Sequence, residues 1–119
     1  MKLLVADDSL IVRRAIERNL AWAEFGEIRF ATNGRRAVEE YREFRPDVVT
    51  MDITMPELDG LSAVDAILRE DPGARILVVS ALADKSTAVE AIKRGAQGFL
   101  LKPITPESLR EAVAELLEA

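Results

Sequence analysis

Aliphatic and β-branched residues gather in five short runs: Lys2 to Ala6, Glu27 to Ala31, Asp47 to Asp52, Arg75 to Ser80 and Gly98 to Lys102. Each has the length and composition of a strand. Leu3-Leu4-Val5-Ala6, Val48-Val49 with Met51, and Ile76-Leu77-Val78-Val79 are apolar on almost every residue. A strand with apolar side chains on both faces must be covered on both, the condition of an inner strand in a parallel sheet. Between the runs the spacing becomes helical, with stripes at Ile11, Ala15 and Ile16; Ala37, Val38 and Tyr41; Leu61, Val64, Ile67 and Leu68; Ala88, Val89 and Ile92; and Leu109, Val113, Leu116 and Leu117. Thr105-Pro106-Glu107 opens the last helix with a cap, a first-turn proline and an acid at the positive end of the dipole. Gly95, after Lys93-Arg94, is placed to stop the fourth. Five strands alternating with five helices predict an α/β fold: a doubly wound, three-layer sandwich around a five-stranded parallel sheet, with helices on both faces.

Composition narrows what such a fold can do. The 119 residues suit one domain, 1–119, and 49% apolar with 31% charged residues is an ordinary balance for a folded chain. Sixteen basic residues against 21 acidic give a net charge of −5, which argues against direct nucleic-acid binding. The sequence contains neither Cys nor His, so disulfides, Cys/His zinc sites, thiolate nucleophiles and imidazole chemistry are excluded. Carboxylates, hydroxyls, Lys, Arg and a hard cation remain, with Mg²⁺ favoured and Mn²⁺ its natural substitute. Only Leu3-Leu4-Val5-Ala6 precedes Asp7, too short for a signal peptide or a membrane span, so a cytoplasmic location without membrane contact is expected.

Open parallel sheets bind ligands beyond the carboxyl ends of their strands. The predicted strand ends there are Asp7-Asp8-Ser9, the uncharged Ala31-Thr32-Asn33, Asp52 followed by Ile53-Thr54-Met55-Pro56, Ser80-Ala81, and Lys102-Pro103. Each has an ordinary reading: Asp8 and Ser9 are both good helix caps, Asp52 could be a plain strand-end acid, Ser80 a turn hydroxyl, Lys102 a solvated charge. Convergence weakens these readings, because the topology brings together residues far apart in sequence. Two carboxylates about 4 Å apart repel by roughly 4 kcal/mol at an effective dielectric of 20. Three clustered acids therefore call for more positive charge than Lys102 supplies, and carboxylate ligation points to Mg²⁺ holding a phosphoryl group.

The order and spacing of these parts, Asp7-Asp8, Asp52-Ile53-Thr54-Met55-Pro56 with Asp59-Gly60, Ser80-Ala81 and Lys102-Pro103, resemble the receiver domain of two-component response regulators along essentially the whole chain. The resemblance implies a flavodoxin-like fold with strand order 2-1-3-4-5, as in chemotaxis regulators. It implies that Asp52 is the phosphoacceptor for the phosphohistidine of a sensor histidine kinase or phosphotransfer protein. It further implies that Asp7, Asp8, Asp52 and the Thr54 backbone carbonyl hold Mg²⁺, that Lys102 pairs with a phosphoryl oxygen, and that Ser80 swings in to bind another. A cis peptide before Pro103 is expected too. Such a domain is not an enzyme in its own right, dephosphorylating itself slowly at most, and signals to a downstream effector through the surface of the fourth helix, fifth strand and fifth helix. Phe99 occupies the aromatic switch position, where Tyr is common, and the surface a partner reads is expected to include Lys85, Lys93 and Arg94. Gln97-Gly98 replaces an acidic pair used in family dimers, so self-association through this face is expected to be poor. The chain end at Glu118-Ala119 fits either a regulator that acts alone or the first domain of a larger one.

Three rival classes fit these residues less well. A Mg²⁺-dependent phosphatase with an Asp nucleophile needs a general acid two residues on, where this chain has Thr54 after Asp52 and Ser9 after Asp7. A flavin or nucleotide module needs glycines and free backbone N–H groups where Asp7-Asp8-Ser9 stands. A pseudo-receiver acting only as an interaction module would not need the complete acid set.

Overall fold

The computed structural model describes residues 1–20, 25–55, 57–81 and 85–118, without the side chains of Lys85 and Ala88. Pro56 and those two side chains, singled out above, lie outside the described residues. The chain alternates as β1 (Lys2–Ala6), α1 (Leu10–Leu20), β2 (Glu27–Ala31), α2 (Gly34–Phe44), β3 (Val48–Asp52), α3 (Gly60–Glu70), β4 (Ile76–Ser80), α4 (Lys85–Lys93), β5 (Gly98–Leu101) and α5 (Pro106–Glu118). All strand pairs are parallel, in the order β2-β1-β3-β4-β5. The three runs apolar on both faces are the three inner strands, as their composition requires.

Strand alternation sorts the core into two layers. Leu3, Val5, Val48 and Leu77 pack with Ile16 and Leu20 of α1 and Leu109, Val113 and Leu116 of α5. Leu4, Val49, Met51 and Val78 pack on the other face with α2, α3 and Ala91 of α4. The helices thus divide two and three about the sheet.

Several boundaries differ from expectation by one residue. β3 starts at Val48, just after Asp47, whose N–H donates to the Lys2 carbonyl at 2.8 Å while its carboxylate accepts the Lys2 N–H at 2.7 Å. β4 begins at Ile76 and β5 ends at Leu101. Two stripes are corrected. In α1 the inward row is Val12, Ile16 and Leu20, and Ile11 is 82% exposed. In α4 Ala91 is buried while Val89 and Ile92 are exposed. Thr105 caps α5, its Oγ1 accepting the Ser108 N–H at 3.1 Å, and Gly95 ends the α4 segment with φ +119.

Two glycines hold the loop after β3 in place. A Cβ at Gly60 would stand 2.0 Å from the Asp52 carbonyl oxygen, and one at Gly34 would stand 1.8 Å from that of Leu58. The loop is seated on backbone, with no space for even a methyl group.

Candidate functional site

Register builds the site. Ala6 of β1 pairs with Met51 of β3, so Asp7 and Asp52, the next residues, come side by side. Asp52 pairs with Val79 of β4, and Ser80 with Leu101 of β5, so Ser80 lies one step and Lys102 two steps further along the same edge. Parallel strands in step therefore gather residues 7, 52, 80 and 102. Alternation also separates them. Asp52 has the parity of Val48, on the α1/α5 face, whereas Ser80 has the parity of Ile76 and Val78, on the face of α2, α3 and α4. Phe99 packs on that second face, opposite Val78 in the β4–β5 register and two residues before Leu101, the partner of Ser80.

One carboxylate oxygen each from Asp7, Asp8 and Asp52 lie within 4.8 Å of one another. Asp7 and Asp52 are buried and Asp8 is exposed. The capping alternatives resolve in favour of Ser9, whose Oγ accepts the Val12 N–H at 3.3 Å. Asp7 Oδ1 accepts the Ser9 N–H at 2.8 Å, and Asp52 Oδ1 accepts the Thr54 N–H at 3.3 Å. Asn33, at the uncharged strand end, is spent on capping α2 through the Arg36 N–H.

The Lys102 ammonium is 3.6 Å from Asp7 Oδ2 and 3.7 Å from Asp52 Oδ1, so it faces both buried acids. Its backbone N–H donates to the Ser80 carbonyl at 2.7 Å, and the Lys102–Pro103 peptide is cis. One ammonium does not balance the cluster. Burial, reinforced by the neighbouring Asp7 charge, pushes the Asp52 carboxyl up to about 6 against the pull of Lys102. Burial likewise raises Asp7.

A divalent hard cation fits these residues. Asp7 Oδ2 is buried with no hydrogen-bond partner, and the donor set is all carboxylate oxygen. Thr54 is exposed beside the cluster. The Ser80 hydroxyl, buried, donates to the Ala81 carbonyl at 3.0 Å, so it must release that bond to serve any ligand. On the α4 side the expected basic surface is smaller than the sequence suggests, because Arg94 is ion-paired with Asp65 and Glu90 while Lys93 is exposed. The Gln97 side chain is likewise engaged within its own chain, accepting the Ile76 N–H at 2.8 Å and donating to the Ala74 carbonyl at 2.7 Å.

Sequence reasoning missed Arg13, whose Nη1 donates to the Asp7 carbonyl oxygen at 2.8 Å. Its only signal in the sequence was an arginine pair just inside a helix whose first turn holds no acid.

Comparison with known proteins agrees with the geometry. A family model described as the response regulator receiver domain matches residues 3–114. The chemotaxis protein CheY of Thermotoga maritima is 43% identical over 112 residues, covering 94% of this chain and 93% of that protein. CheY of Listeria monocytogenes is 41% identical over 113 residues, 95% of each. Among solved structures, one in the CheX–CheY–BeF3–Mg²⁺ complex from Borrelia burgdorferi superposes with a TM-score of 0.92 at 28% identity, covering 98% of this chain and 89% of that one. The receiver domain of NtrX from Brucella abortus gives 0.92 at 30% identity over 98% of both chains.

Proposed function

The chain belongs to the response regulator receiver domain family and is CheY-like, and from that premise we propose that it is a phosphoacceptor whose acceptor group is Asp52. The observation that carries this reading is the buried Asp52 carboxylate, flanked by Asp7 and Asp8 and faced by Lys102. An Asp52 oxygen attacks the phosphorus of a partner's phosphohistidine. The P–N bond breaks, its electron pair returns to the imidazole, and an aspartyl phosphate remains. The absence of His from this chain fits an acceptor supplied by a separate kinase or phosphotransfer protein.

The Lys102 ammonium lies within 3.7 Å of both buried acids and turns to donate to a phosphoryl oxygen on Asp52. Asp7, Asp8, Asp52 and the Thr54 carbonyl would hold Mg²⁺, which would offset the negative charge that the phosphoryl group brings. Ser80 gives up the Ala81 carbonyl and donates to the modified Asp52. Because Ser80 and Phe99 share a sheet face, that movement frees space on the α4 side and changes the surface of α4, β5 and α5 presented to an effector. The domain acts in the cytoplasm as a switch and not as a turnover enzyme; among the described residues no helix is long and apolar enough to cross a membrane.

Acetyl phosphate with Mg²⁺ should label the protein with an acid-labile, hydroxylamine-sensitive group, and Asp52→Asn should abolish it. Labelling of Asp52→Asn equal to wild type would remove the assignment.

A further inference from the structure

Arg13 occupies a position that helix electrostatics disfavours. It lies just behind the first turn of α1, near the positive end of the dipole, and that turn contains no acidic residue to offset it. Its side chain is directed back to the strand end, where Nη1 donates to the Asp7 carbonyl oxygen at 2.8 Å. Beside the Lys102 ion pair, three hydrogen bonds hold Asp7. Its N–H donates to the Ala31 carbonyl at 3.0 Å, its Oδ1 accepts the Ser9 N–H at 2.8 Å, and its carbonyl accepts Arg13. The first two fix the strand end and one carboxylate oxygen. The Ser9 bond closes a turn around the peptide joining Asp7 to Asp8, and the Arg13 bond is made to that peptide's own carbonyl, so the two together decide where the Asp8 side chain starts. Asp8 is the exposed member of the acid trio and has no capping role to hold it.

We propose that Arg13 is a positioning residue: through the Asp7 carbonyl it fixes the Asp7–Asp8 peptide so that both carboxylates stay assembled with Asp52 as one ligand set. The inference rests on reading the cluster as a divalent cation site. Charge and position make opposite demands here. A guanidinium near the cluster repels a divalent cation, so electrostatics alone has binding tighten when Arg13 is neutralised. Loss of a positioning bond has binding weaken, as for other outer-shell partners of metal ligands.

The experiment is a Mg²⁺ titration followed by backbone amide shifts in the wild type, Arg13→Met, Arg13→Lys and Arg14→Met, with the metal-free spectra as a second readout. Arg13→Met should weaken binding by about tenfold, the low end for an outer-shell partner, and should shift the Asp8 amide in the metal-free protein. Arg13→Lys, which keeps a long donor, should recover part of the affinity. Arg14→Met removes the same charge from the exposed neighbouring position and should bind Mg²⁺ as tightly as wild type or more tightly. If Arg13→Met does not fold, Arg13→Gln carries the same comparison. Equal or tighter binding in the neutral Arg13 variant, or no recovery by Lys, overturns the positioning role alone. A wild type whose amides do not respond to Mg²⁺ overturns the cation site and this inference together.

Discussion

Thr50 and Asp52 sit two residues apart on β3 with the same parity, yet they are buried for different reasons. Thr50 Oγ1 has no hydrogen-bond partner among the described residues. A buried unpaired hydroxyl costs about 1–3 kcal/mol, so Thr50→Val should raise the unfolding free energy by about 1 kcal/mol in urea titration; a loss would mean that the hydroxyl has a use. Asp52 behaves differently because its burial meets neighbouring charge. Its carboxyl is raised to about 6 in the folded protein, from an ordinary value near 3.8. The folded state therefore holds a proton that the unfolded state has released, and the associated stability is complete below pH ~3.8 and lost as pH rises through about 6. Two pH units correspond to about 3 kcal/mol. With EDTA present, unfolding free energy should fall between pH 4 and pH 7, and Asp52→Asn should remove most of that fall while exceeding wild type at pH 7 by about 2–3 kcal/mol. A gap of the same size at both pH values would contradict this.

The elements show where pattern was informative. The inner strands were legible because two-sided burial leaves few polar residues in the run, and the α2 and α5 stripes because Ala37, Val38 and Tyr41, and Leu109, Val113, Leu116 and Leu117, all pack in the core. α1 was misread since Leu10, Ile11 and Val12 are apolar together, and spacing cannot say which member of such a run points inward; Leu20 settles it from the far end. In α4, exposed Val89 and Ile92 have the same spacing as a buried stripe. The acids and Lys102 were legible by their place at strand ends, but the seat beneath Asp52 was not, because a glycine's close contact is made across the fold. Gly60→Ala would drive a methyl group into the Asp52 carbonyl. Overpacking of this kind costs typically about 1–3 kcal/mol, and here the displaced backbone carries Asp52. Gly60→Ala should therefore lower both the thermal midpoint and the rate of labelling by acetyl phosphate; normal labelling in a destabilised variant would show that the loop yields elsewhere.

At the scale of the whole molecule, the two signs of charge in the site belong to different parts of the sheet. Asp7 and Asp52 follow from β1 and β3, inner strands buried almost throughout, while Lys102 follows β5, an edge strand of four residues that are all half-exposed. Hydrogen exchange should find the amides of β5 opening before those of β1, β3 and β4, since few buried contacts hold an edge; uniform protection across the sheet would argue against this ordering. The half-exposed edge then sets how the domain fails. On the proposed reading, an opening of β5 would carry the ammonium away first and leave a cluster of carboxylates without its cation, which would repel an incoming phosphoryl group. Thermal fluctuation would then disarm the site instead of triggering it, and a half-folded copy would stay silent.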